Sequence, residues 1–145
     1  MRRYLVVANQ TLGSGELFHE LRRRYTEEKS AFYLLVPATL STGATGPSAP
    51  PADETVEELV QRRLDTELNL LKAAGVQADG EVGHEDPVRA VNDLLDRGQF
   101  TFDEVIVATF PRGVSRWLGM DLLNKVKHKA QLPVTHVVCK RPNRL

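Results

Sequence analysis

The sequence predicts an α/β domain with a parallel sheet covered by helices on both faces. Short apolar runs rich in β-branched residues occur at residues 4–8 (YLVVA), 31–36 (AFYLLV) and 105–108 (VIVA). Each is too continuous for a strand with one wet face and fits a strand buried on both sides. The stretches between them carry apolar residues at helical spacing. Strands that alternate with helices in this way need crossover connections, and right-handed crossovers place the helices on both faces. A length of 145 residues suits one core, so residues 1–145 are expected to form a single domain.

The elements follow in chain order. After the first strand come Asn9, Gln10 and Thr11, then Gly13, Ser14 and Gly15. Ser14 is a suitable N-cap for a helix to about Lys29, with Glu16 in the first turn to offset the helix dipole. Leu17, Phe18, Leu21 and Tyr25 form its inward face. The second strand runs into residues 37–53, a Pro-, Gly-, Ser- and Thr-rich segment that cannot build core. It reads as a long flexible loop inside the domain, either a passive insertion or a flap over the strand ends.

The next helix has Asp53 as one cap and Thr55 with Glu58 at capping-box spacing. Val56, Leu59, Val60, Leu64, Leu68 and Leu71 form its stripe, and Gly75 suits the C′ position. Residues 76–82 alternate weakly around Gly80 and read as an edge strand. Asp86 followed by Pro87 is an N-cap with a first-turn proline; Val88, Val91, Leu94 and Leu95 carry that helix to Gly98. After the strand at 105–108, Val114, Leu118, Leu122 and Val126 repeat at helical spacing, with a break and a fresh cap at Gly119 and Asp121. Pro133 stops this helix, and residues 134–139 (VTHVVC) are the last strand.

Composition narrows the function classes. Lys plus Arg and Asp plus Glu both number 19, and this balance argues against nucleic acid as an obligatory partner. The basic groups Arg22, Arg23, Arg24 and Lys125, Lys127, Lys129 read as solvated helix faces. The lone Cys139, in an apolar run, reads as a buried thiol and excludes an internal disulfide. No segment has the pattern of a signal peptide or the length of a membrane span, so a cytoplasmic protein is expected.

The strand ends carry no familiar catalytic set. Gly13 and Gly15 lack a third glycine at Phe18, and no acid ends the second strand, so the dinucleotide fingerprint fails. A phospho-receiver site needs carboxylates where Asn9 and Thr109 stand. His19, His84, His128 and His136 have no metal-ligand spacing, and Ser115 has no nucleophile elbow around it. What remains is the stretch VIVATFPRGVSRWLGMD, residues 105–121, where a buried strand, a loop and a helix start make an anion-binding turn with few glycines.

YLVVANQT, Asp86-Pro87 with Val91, and VIVATFPRGVSRWLGMDLLNKVKHKAQLPVTHVV together make the chain resemble the universal stress protein (UspA-like) family over essentially its whole length. The resemblance implies a three-layer sandwich with a five-stranded parallel sheet in the order 3-2-1-4-5, the adenine nucleotide alpha hydrolase-like architecture. It also implies a homodimer through the last strand and, in some members, bound ATP or AMP. In those members a Gly-x-x-Gly pair and a later Gly followed by Ser or Thr wrap the phosphates. Here only Gly113 represents the first pair, Pro111 offers no amide donor, and Met120 follows the late Gly119 in place of a hydroxyl. Asn9 stands where the family has an aspartate, and it retains hydrogen-bonding groups for an adenine or ribose edge. Arg112 and Ser115 are candidates to replace lost phosphate contacts.

By this resemblance the site comprises Ala8, Asn9, Gln10, Val36, Thr109, Arg112, Gly113, Ser115, Gly119 and Met120. The damaged glycine pattern favours a non-catalytic regulatory or stress-response protein, a homodimeric interaction module with an unknown protein partner. The alternative is an adenine-nucleotide-binding stress protein, and a weak nucleotide hydrolase is the third reading.

Overall fold

The computed structural model describes residues 1–9, 11–38, 54–111 and 121–140. Five strands and four helices alternate along the described chain: β1 Arg2–Val7, α1 Gly15–Glu27, β2 Ser30–Pro37, α2 Val56–Ala73, β3 Ala78–Gly83, α3 Pro87–Asp96, β4 Glu104–Thr109, α4 Leu122–Ala130 and β5 Val134–Val138. All pairings are parallel, and the sheet order is β3-β2-β1-β4-β5, as the family resemblance implies.

The continuous apolar character of β1, β2 and β4 follows from their place in the middle three positions of the sheet. Successive side chains of a strand point to opposite faces, so each central strand serves two cores. Tyr4 and Val6 of β1 join Leu34, Val36 and Ile106 on one face, packed by Leu17 and Leu21 of α1 and Val60, Leu64 and Leu71 of α2. Leu5 and Val7 join Leu35, Val105 and Val107 on the other, packed by Val91 and Leu94 of α3 and Leu122 and Val126 of α4. Helices α1 and α2 therefore cover one face and α3 and α4 the other.

Helix ends match the expected chemistry at most positions. The Ser14 hydroxyl accepts hydrogen bonds from the Glu16 and Leu17 amides, and Asp86 caps α3 ahead of Pro87. Thr55 and Glu58 form a complete capping box, so Thr55 is the cap of α2; Asp53 lies outside the described residues. The Gly75 amide donates to Lys72 and the Val76 amide to Leu71, which closes α2 in a Schellman turn with Gly75 at φ 79.

Asp121 departs from expectation. It precedes α4 in a left-handed conformation and makes no side-chain cap; its carboxylate instead accepts from the Asn124 side chain at 2.8 Å. Val114, Leu118 and Gly119, expected in the same helical stretch, lie outside the described residues, as do residues 39–53 of the expected loop. Strand β1 starts at Arg2, two residues earlier than its apolar run, because Arg2 and Arg3 continue the pairing with Ser30 and Ala31.

The weak pattern of β3 has a packing cause. Gly80 pairs with Leu34, and a Cβ added there would lie 2.4 Å from the Leu34 carbonyl oxygen and 3.0 Å from a Leu64 methyl. Only a residue without a side chain allows this strand so close to β2 and α2. Gly80→Ala should therefore destabilise the fold by about 1–3 kcal/mol. Urea unfolding measures this, and an unchanged midpoint would contradict the close approach.

Candidate functional site

Strands in a parallel sheet all end on the same edge, and here the order reverses between β1 and β4. The chain leaves β1 toward α1 on one face, while α4 packs on the other, and it is at such a reversal, beyond the carboxyl ends of the strands, that folds of this topology hold their ligands. Of the predicted site residues, Ala8, Asn9, Val36 and Thr109 are brought to this edge. Gln10, Arg112, Gly113, Ser115, Gly119 and Met120 lie outside the described residues.

The four described residues are all buried, and their polar groups are bonded within the protein. Ala8 donates its amide to Leu35 and so extends the β1–β2 ladder past Val7, while Val36 keeps its place opposite Val82. Asn9 then takes over where the ladder ends. Its side chain is 3% exposed; Nδ2 donates to the Pro37 carbonyl at 2.7 Å, and Oδ1 accepts from Arg63 Nη1 at 3.2 Å. On the other side, Thr11 Oγ1 donates to the Ala108 carbonyl at 3.5 Å. The ends of β1, β2 and β4 are thus tied by side chains of the first turn.

Thr109 has a second role. Its hydroxyl donates to the Phe110 carbonyl at 2.8 Å and lies 2.7 Å from His136 Nε2 on β5. A hydroxyl has one proton, so Thr109 accepts from His136, which assigns the proton to Nε2. Burial lowers the His136 pKa and favours this neutral ring. Cys139, just beyond β5, is fully buried, and burial raises its thiol pKa, as expected of an inert cysteine.

Two further residues at this edge escape the pattern read from sequence. Arg63 and Glu67 lie one turn apart on α2, the spacing of a surface ion pair. Among the described residues they form none. Arg63 reaches Asn9, and its guanidinium pKa is lowered by burial and by the neighbouring Arg62. Glu67 turns into the core at 1% exposure. Its Oε1 accepts a long 3.5 Å bond from the Gly13 amide, and Oε2 has no hydrogen-bond partner among the described residues. Burial raises the carboxyl pKa against the opposing effect of the Gly13 bond. The available signal was phase: Glu67 sits three residues after Leu64 and four before Leu71, inside the apolar stripe.

No group of His, Cys, Asp or Glu among the described residues is arranged to hold a metal ion. No helix among them is long and apolar enough to cross a membrane. Beside the end of β3 lies an open depression lined by Glu57, Glu58, Arg62, Asp65, Val82 and Gly83. Three of those groups are acidic, so its field opposes an anionic ligand.

No protein-family profile matches the chain, and no curated protein does. Solved structures do. A universal stress protein from Archaeoglobus fulgidus superposes with a TM-score of 0.59 at 13% identity, covering 94% of this chain and 93% of that one. A universal stress protein in complex with cAMP gives 0.56 at 17% identity, covering 94% and 96%. A universal stress protein family protein from Arabidopsis thaliana with AMP bound gives 0.58 at 16% identity, covering 98% and 93%. At these identities the likeness is one of fold: the chain has the universal stress protein fold over nearly its full length.

The Glu67 environment has a consequence for stability. The folded protein holds this proton more tightly than the unfolded chain, whose carboxyl has an ordinary value near 4.5. The protonated form therefore favours folding, and stability from Glu67 is lost as pH rises from the ordinary value through the raised one. Glu67→Gln removes this dependence. Between about pH 4 and pH 8, the wild-type urea midpoint should fall relative to that of Glu67→Gln. Parallel pH profiles for the two proteins would refute a buried Glu67 whose carboxyl pKa is raised.

Proposed function

We propose that this chain is a non-catalytic regulatory protein that binds an adenine nucleotide in the crevice at the carboxyl ends of β1, β2 and β4. The observation that supports this reading most directly is the tie between strand ends made by Asn9. By bonding Pro37 and Arg63 at once, it holds the crevice wall formed where β1 and β2 end. Pre-organisation of this kind reduces the ordering cost of binding. Two of the solved structures with this fold carry AMP or cAMP, which points to the same class of ligand.

The proposal shifts the balance set by the glycine loop. Pro111 and the Gly113–Met120 region weaken the case for phosphate binding by backbone amides, yet the base-and-ribose end of a nucleotide needs no such loop. Ala8 and Val36 stand next to Asn9 at this edge, and Arg112, Gly113 and Ser115 remain candidates by the family resemblance alone. The non-catalytic part rests on access. A general acid or base must come within hydrogen-bond reach of its substrate, and Glu67 is sealed in the core.

Two copies of the chain are proposed to associate through β5. Cys139 donates its amide to Thr109, so by strand alternation the Val138 amide and carbonyl point away from β4 at the open edge. Val138 is also 50% exposed, which leaves apolar surface beside those outward-pointing groups.

Calorimetric titration of the purified protein with AMP, ATP and cAMP tests the ligand, preceded by mass spectrometry of nucleotide released on denaturation. Binding of at least one at submillimolar concentration is expected. No released nucleotide and no heat at millimolar ligand would leave the interaction-module reading in its place. For the dimer, Val138→Pro removes an outward amide while sparing the β4–β5 ladder, and light scattering should report a monomer that remains folded. A folded variant that stays dimeric would place the interface elsewhere.

A further inference from the structure

The α2 helix presents a cation to the strand-end crevice without its expected counterion. Arg63 has Glu67 one turn away, yet the carboxyl turns inward to the Gly13 amide and is shielded from solvent. Among the described residues, no carboxylate forms an ion pair with Arg63, although most of the other paired arginines on this molecule meet one within 3.1 Å. Its Nη1 donates to Asn9 Oδ1, and Asn9 is in turn anchored on Pro37. The guanidinium is therefore oriented at the end of β1, and among the described residues it has donors left over in a fixed planar fork.

A half-buried guanidinium is costly unless something offsets its charge. The neighbouring Arg62 adds to that cost, and burial acts in the same direction. A neutral ligand edge would use the donors and leave the charge uncompensated. An oxyanion would do both, since the guanidinium fork matches the paired oxygens of a phosphoryl or carboxylate group.

We propose that Arg63 is an anion-binding residue of this crevice, positioned by Asn9, and that it receives the phosphoryl group of the bound ligand. The identity of that ligand as a nucleotide rests on the function proposed above; the preference for an oxyanion at Arg63 does not. The two statements separate experimentally.

Wild type, Arg63→Gln and Arg63→Lys are titrated by calorimetry with AMP, adenosine and inorganic tripolyphosphate, and the Arg63 side-chain Nε–H resonance is followed by NMR in the wild type. AMP should bind more tightly than adenosine. Arg63→Gln should weaken AMP by about 10-fold to 100-fold, the loss typical of a charge-assisted hydrogen bond, with adenosine little changed. Arg63→Lys should keep part of the affinity, because charge survives and the fork does not. Equal losses for AMP and adenosine, or no loss for either, would overturn the assignment while leaving nucleotide binding intact. Tripolyphosphate binding that Arg63→Gln abolishes, with no nucleotide binding, would keep the anion site and remove the nucleotide. Absence of binding by all three ligands overturns both. If Arg63→Gln does not fold, an Arg63 Nε–H shift on adding AMP or tripolyphosphate to the wild type supports the site, and an unmoved resonance rejects it.

Discussion

Burial of β1 on both faces is the constraint on which the rest of this structure depends. A strand with Leu5, Val6 and Val7 fully enclosed has no wet side, so every backbone group must be paired with a neighbouring strand. Strands β2 and β4 supply those partners, and their parallel direction forces each connection to cross the sheet as a helix. The same constraint decides where the chain can escape. Beyond Ala8 the ladder runs out, and polar side chains must take over from strand pairing. Asn9 does so toward β2 and Thr11 toward β4. The polar ties at the strand ends are thus a direct product of ending a fully buried strand.

The two ends of the sheet treat buried charge in opposite ways. At the amino-terminal end, Glu104 begins β4 with little exposure. Burial raises its pKa, but hydrogen bonds from Thr135 and Arg2, with Arg24 nearby, outweigh burial and leave the carboxylate below its usual range. Arg24 lies 2.9 Å from Glu104 and 2.6 Å from Glu20, and both Arg2 and Arg24 sit over the Tyr4 ring. That cluster joins β1, α1, β4 and β5 and satisfies its own charges. At the carboxyl-terminal end the acid and the base are parted: burial pushes the Glu67 carboxyl above the usual carboxylate range, and Arg63 reaches Asn9 at the strand ends. A closed network fits a structural role, and an open one fits a ligand.

The strands were legible because the physics behind them is local or repetitive, whereas their order came from the family resemblance alone. Continuous apolar runs marked β1, β2 and β4 as central, and Ser14, Thr55 with Glu58, and Asp86 with Pro87 marked helix starts through side-chain bonds to nearby amides. Weak alternation in β3 was also informative once Gly80 was seen to touch Leu34 and Leu64, a contact between residues distant in sequence. The site was legible only in outline. Asn9 and Thr109 were found from their place after buried strands, but their partners Arg63 and His136 come from elements that only the folded sheet brings alongside. Arg63 and Glu67 were harder still, since their spacing is that of an exposed ion pair and nothing local announces that the acid turns inward. Asp121 misled for the converse reason: a residue type suited to capping stands in a left-handed conformation, where its side chain bonds Asn124 instead.

The two open edges of the sheet differ in a way that bears on association. Edge strand β3 carries Asp79 and Glu81, and Glu81 binds both the Tyr33 hydroxyl and Arg97. Charges on an edge discourage a second strand from pairing there, because they would lose water or their ion-pair partners. Edge strand β5 reads VTHVV, with no carboxylate or ammonium, and its histidine is kept neutral by burial and bonded back to Thr109. β-Branched residues favour the extended backbone that strand pairing requires. Protonating His136 would disturb this edge twice, by adding charge and by demanding a second acceptor at Nδ1. The neutral ring held by Thr109 therefore links the strand-end crevice to the edge at which a second copy would pair.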